Sequence, residues 1–323
     1  YAAVIALLLT NFGTICAEYA GISAAGSLIG IPSWVSAPLA GLLISLMVVL
    51  GSFHRIERIL LVISATLALY LVDGVLAAPD WSAVARYSLL PSAPGSEGAW
   101  VAVAATLGTT LAPWGLAFIQ SYAVDKKITV ANLRWERLDV IVGSVLTGVI
   151  GLAIAVACAA TLHRAGVHIE NAADAAAALE PLAGAFAKLL FGVGLLGASL
   201  LAAAIVPLAT AYSIAEGMGA QASLDLDSRH FQLFYAAFIG LTVAAVSVVS
   251  IPGLPLIPLI YSSQVINAVL LPLHAIALHL LARDVALMGE ARSTRMAIRA
   301  EQLGIAIICA CVMALAMSWV NSL

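Results

Sequence analysis

Charge is scarce in this sequence. Only 10% of its 323 residues are Asp, Glu, Lys or Arg, against about 25% in an ordinary soluble domain. So few ionisable groups cannot cover a water-facing surface of this size. The 63% hydrophobic content and mean hydropathy of +1.08 complete that exclusion. The net charge of −3 is too small to mark a nucleic-acid binder. Cysteine is scarce too: Cys16, Cys158, Cys309 and Cys311 lie in apolar runs without paired ligand spacing, which excludes a disulfide framework and a zinc motif. Enzyme signatures are missing as well. The chain has no His-Glu-x-x-His, no Gly-x-Ser-x-Gly and no phosphate loop, so it is read as a non-enzyme without a cofactor.

What is present is a succession of apolar runs, at about 2–28, 34–50, 59–78, 99–124, 140–162, 181–217, 231–250, 256–281 and 302–320. Runs near 20 residues cross a bilayer as helices, because hydrocarbon offers the backbone no other hydrogen-bond partner. The pattern predicts an all-α polytopic membrane protein of about nine spans, one transmembrane domain covering 1–323. Residue 1 is Tyr, and the chain opens inside an apolar run without a basic flank. That run is too long for a signal-peptide core, so the chain is expected to be a fragment whose natural N-terminal part lies upstream. Eleven of the 14 basic residues, from Arg55 to Arg299, fall in loops on one side, and Arg86, Arg164 and Lys188 fall on the other. The richer side is the cytoplasmic one.

One span is interrupted. Gly108-Thr109-Thr110-Leu111-Ala112-Pro113-Trp114-Gly115 lies in the middle of the run at 99–124, where Pro113 removes an N–H and crowds the preceding turn. Two readings stand side by side. A broken helix leaves backbone groups free at mid-membrane, which is tolerated where they face a cavity or ligand; alternatively, Thr109 or Thr110 satisfies the freed carbonyl of a simple kink. Other polar groups lie at similar depth. Glu18 is an intramembrane carboxylate and by default a functional candidate. Gln264, Asn267 and Asn11 can ligate a cation or join helices. His274 and His279 are five apart, poor ligand spacing, and are assigned interfacial or packing roles. Asp73, near the outer boundary, is expected to be solvated, and Glu216 to pair with a cap or loop. Trp114 either plugs a cavity or packs.

The motif around Pro113, followed by Gln120-Ser121-Tyr122-Ala123-Val124-Asp125-Lys126-Lys127 and Leu133-Arg134-Trp135-Glu136-Arg137-Leu138-Asp139, resembles the sixth helix and following loop of NRAMP-family divalent-metal transporters. It is most similar to a bacterial branch with Pro-Trp where typical members carry Met-Pro-His. The likeness continues through the glycine-rich run at 192–201, through Ile251-Pro252-Gly253-Leu254-Pro255, and through Ser263-Gln264-Val265-Ile266-Asn267. Thr14-Ile15-Cys16-Ala17-Glu18 resembles the family's third-helix Thr-Asp-Leu-Ala-Glu.

The resemblance implies a LeuT-like fold of two inverted five-helix repeats plus one helix. On that map the nine spans are helices three to eleven, and the first two, with their Asp-Pro-Gly-Asn-type motif, are absent. It also implies a metal site at Thr109 (backbone carbonyl), Ala112 (where the family places a methionine sulfur) and Gln264, which closes over the ion. Trp114 and Ile119 replace family histidines, Ile15 replaces the third-helix Asp, and the span at 231–250 carries no arginine. An oxygen-lined site without sulfur suits magnesium or manganese, with weak or absent proton coupling, as in NRAMP-related magnesium transporters. The expected function is therefore divalent-cation transport by alternating access in a bacterial inner membrane, with the ion as substrate. The alternatives are an amino-acid or organic-cation carrier on the same fold, or a non-transporting receptor or assembly subunit. Oligomeric state is left open.

Overall fold

A computed structural model describes residues 2–50, 58, 61–62, 65–90, 97–125, 127–167, 169–180, 184–220, 232–289 and 293–322. Among these the regular elements are all helical. Helix α1 (Ala2–Ser27) is joined by a tight turn to α2 (Ser33–Val49). A short α3 (Tyr70–Leu76) and an amphipathic α4 (Trp81–Leu89) follow, then the consecutive helices α5 (Glu97–Thr110) and α6 (Pro113–Asp125). Beyond them come α7 (Leu133–Cys158), a small α8 (Ala172–Ala176), α9 (Ala187–Gly217) and α10 (Gln232–Val249). The chain then runs through α11 (Leu256–Arg283), a single turn α12 (Val285–Met288) and α13 (Arg295–Ser322).

This is an all-α polytopic membrane protein. Six spans among the described residues are long and apolar enough to cross a bilayer: α1, the α5–α6 pair, α7 with its continuation to His163, α9, α11 and α13. Helices α2 and α10 are apolar but shorter. The expected span at 59–78 falls partly outside the described residues, and its described end forms a 3₁₀ turn, Ala65–Leu69, leading into α3. Two expected boundaries shift. The polar stretch from Arg134 to Asp139, expected in a loop, opens α7, because charged side chains can occupy the turns of a helix that projects beyond the hydrocarbon. The region after His163 is not a plain loop either. Asn171 and Asp174 form a capping box that starts α8, and the chain there packs against the C-terminal end of α7 and the N-terminal end of α9.

Helix α1 lies at the centre, touching α2, α6, α9, α10 and α11. Small residues bring the backbones close, the usual device where lipid offers no hydrophobic driving force between helices. A Cβ on Gly21 would overlap the Ser199 hydroxyl of α9, and one on Gly41 of α2 would lie 2.9 Å from Val246 of α10. The turn after α1 closes as a Schellman motif: Ile31 N–H donates to the Gly26 carbonyl (2.9 Å) and Gly30 N–H to Ser27 (3.1 Å). Gly30 takes the left-handed conformation this turn needs, with φ +79°.

Three apolar clusters result. The largest gathers Ile15 and Tyr19 of α1, Ile44 of α2, Tyr212 of α9, and Phe234 and Phe238 of α10. An outer one joins Tyr70, Leu162 and Leu179. A third joins α5 to α11 and α13 through Ala104, Ala105, Val265, Ala268 and Leu315.

Candidate functional site

The interruption at Pro113 is real. Helix α5 ends at Thr110, and α6 restarts with Pro113 as its first residue, a position where a missing N–H is harmless to the new helix. In a continuous helix, residue 113 would donate to the carbonyl of Thr109. Proline cannot, so that carbonyl loses its helical partner. The Thr110 hydroxyl does not replace it, because it donates a turn earlier to the Thr106 carbonyl at 2.6 Å. Thr109, Thr110 and Leu111 are exposed at the break, Ala112 is half-buried and Pro113 is buried.

The break faces α11. A Cβ on Gly108 would run into the Gln264 carbonyl oxygen and lie 2.8 Å from the Ala268 nitrogen. Gly108 therefore serves close approach, and it places Thr109 one residue from the α5–α11 contact. On α11 a short polar thread runs toward α1. The Gln264 amide donates to the Ser263 hydroxyl (3.1 Å). The Asn267 amide donates to Gln264 Oε1 (3.2 Å) and to the Thr14 hydroxyl (2.9 Å). Three residues before Thr14, on the same face of α1, the Asn11 amide donates to the Thr210 hydroxyl of α9 (2.8 Å).

Each of these asparagines spends its N–H groups and keeps its oxygen. Asn11 Oδ1 and Asn267 Oδ1 are buried without a hydrogen-bond partner among the described residues. Neutral amide oxygens in that condition suit a water or a hard cation. Glu18, on the next turn of the same α1 face, is half-buried and forms no ion pair among the described residues. No group of three His, Cys, Asp or Glu side chains able to hold a metal occurs among those residues. The available donors are therefore carbonyl, amide and hydroxyl oxygens plus the Glu18 carboxylate.

The remaining candidates fall away from this thread. Trp114 packs against the largest apolar cluster. Asp73, expected to be solvated, is fully buried, because α3 packs against α7. Glu216 accepts a hydrogen bond from the Ser121 hydroxyl of α6 at 3.0 Å, tying the C-terminal end of α9 to α6. His279 meets Glu301 of α13 at 2.8 Å, and His274 Nδ1 faces the Leu270 carbonyl at 3.0 Å, which requires the proton on that nitrogen. Sequence reading missed the partners Thr210, Ser121 and Glu301. Nothing in a linear pattern pairs residues 199, 95 and 22 positions apart.

A profile described as natural resistance-associated macrophage protein-like (Nramp) matches residues 1–318. Curated relatives named "Divalent metal cation transporter MntH" align over parts of the chain. The protein from Caldanaerobacter subterraneus subsp. tengcongensis is 28% identical over 54% of this chain and 44% of its own length. That from Aeromonas hydrophila subsp. hydrophila is 26% identical over 70% and 54%, and that from Deinococcus radiodurans 34% over 42% and 32%. The chain thus spans about half or less of the length of these relatives.

Proposed function

Because the chain belongs to the Nramp family, we propose that it carries out transmembrane transport of a divalent metal cation, with the ion bound beside the break at Thr109, Ala112 and Gln264. The relatives are named as transporters, not enzymes. The observation that carries the reading is the Thr109 carbonyl, deprived of its helical N–H by Pro113 and held one residue from the Gly108–Gln264 contact. Asn267 stands in the adjoining polar thread, Glu18 lies a turn beyond Thr14 on α1, and Trp114 backs α6 against the scaffold.

Oxygen donors favour hard cations, and Ala112 supplies no sulfur, so magnesium or manganese is the substrate we infer. Proton coupling is weak or absent, since Ile15, Trp114 and Ile119 offer no titratable group where the family has one. The LeuT-like inverted-repeat arrangement, alternating access and a bacterial inner-membrane location belong to the same proposal.

Manganese uptake into proteoliposomes containing the full-length protein tests it. Gln264→Ala weakens apparent metal affinity about ten- to a hundredfold. Pro113→Ala, which returns an N–H to the Thr109 carbonyl, lowers uptake while leaving the fold intact. Uptake proceeds without acidification of the lumen. Failure of both magnesium and manganese to enter, or indifference of uptake to both substitutions, overturns the assignment.

A further inference from the structure

Away from the break, the outer ends of α1, α2 and α9 enclose a cleft of about 310 Å³. Ala25 and Gly26 of α1 form its floor, Leu39 and Leu43 of α2 one wall, and Val193 and Leu196 of α9 the other. The two α2 leucines are exposed, at 54% and 50%, so the cleft is open on their side. In a membrane that opening meets acyl chains. One ionisable side chain, Lys188, lines it among the described residues. Lys188 sits in the first turn of α9, on the side the charge asymmetry assigns to the exterior, and it makes no ion pair among those residues.

An apolar trough with positive charge confined to its outer rim is complementary to one kind of molecule present in a bilayer, an amphiphile with a hydrocarbon tail and an anionic head. We propose that the cleft binds an anionic phospholipid of the outer leaflet, with an acyl chain between α2 and α9 and its phosphate on Lys188. Bound there, the lipid braces α2, one of the shorter apolar helices, against the long α9. This inference does not depend on which ion is transported, or on whether one is.

The test is native mass spectrometry of the full-length protein after delipidation and titration with palmitoyl-oleoyl phosphatidylglycerol or phosphatidylcholine. Wild type retains phosphatidylglycerol about fivefold better, the scale one lysine supplies near an anionic surface. Lys188→Gln, an exposed change that leaves the packing untouched, removes that preference and keeps the tail-dependent retention. Val193→Trp, which fills the trough, abolishes retention of both lipids. Equal retention of the two lipids by wild type overturns the proposal. So does undiminished binding by Val193→Trp, or a lipid-free protein whose cleft is closed by a second copy.

Discussion

Gly108 and Gly115 flank the same break, yet only one is sterically required. An added Cβ at Gly108 meets the backbone of Gln264, whereas nothing lies within 4 Å of one at Gly115. Gly108→Ala is expected to destabilise the protein by about 1–3 kcal/mol through overpacking. Gly115→Ala is expected to stabilise it by about 0.4–1 kcal/mol, since alanine fits there and has less conformational freedom to lose from the unfolded chain. Thermal unfolding of the detergent-solubilised variants separates the two. Lys127 presents the opposite case. After α6, Ile128 N–H donates to the Ala123 carbonyl (3.0 Å) and Lys127 N–H to Val124 (3.0 Å), the same closure that follows α1. Here, however, a lysine holds the left-handed position, at φ +54°, where a side chain costs about 1–2 kcal/mol. Lys127→Gly is therefore expected to raise the melting temperature by a few degrees, and an unchanged or lower value counts against strain at this turn.

At the scale of elements, apolar run length discloses the helices, and the Gly-Thr-Thr-Leu-Ala-Pro stretch discloses the break, because proline and run length act locally. The partners that give each polar residue its role were not legible. Asn267 could be assigned to ion or helix binding alike until α11 was seen against Thr14. Asp73 appeared solvated because burial by α7 is a tertiary fact. Helix α4 shows local chemistry at its most direct. Asp80 caps it by accepting from Ser82 N–H (2.9 Å), the Ser82 hydroxyl (2.7 Å) and Ala83 N–H (3.2 Å). The Ser82 hydroxyl first, then these amides and the more distant Arg164, hold its carboxyl below the ordinary carboxylate value. A depressed value in the folded helix means that the cap is fully present above the ordinary carboxylate pKa. It is lost as pH falls through the lowered one. Protection of the amides at residues 82–84, taken relative to the intrinsic exchange rate at each pH, is accordingly expected to fall on acidification. Asp80→Asn, an equally good cap without a titrating proton, removes that pH dependence; an unaltered profile in Asp80→Asn excludes the cap as its source.

Over the whole molecule, α1 is the member around which the others assemble, and its polar face connects α9 to α11 through Asn11 and Thr14. The two halves of the interrupted span are embedded differently. Helix α5 is built into the cluster shared with α11 and α13, whereas Trp114 and Phe118 of α6 join the cluster around Tyr212. Thermodynamic coupling should consequently stop at Leu111 and Ala112. In a double-mutant cycle, Ala105→Gly and Phe118→Ala are expected to change unfolding free energy additively, within about 0.5 kcal/mol. Phe118→Ala and Tyr212→Ala, whose rings lie 5.8 Å apart, are expected to depart from additivity. Equal interaction energies in the two cycles would mean that α5 and α6 respond as one rod. With the expected result, a single membrane crossing consists of two energetically independent parts, and a substitution that stiffens one leaves the other free to respond.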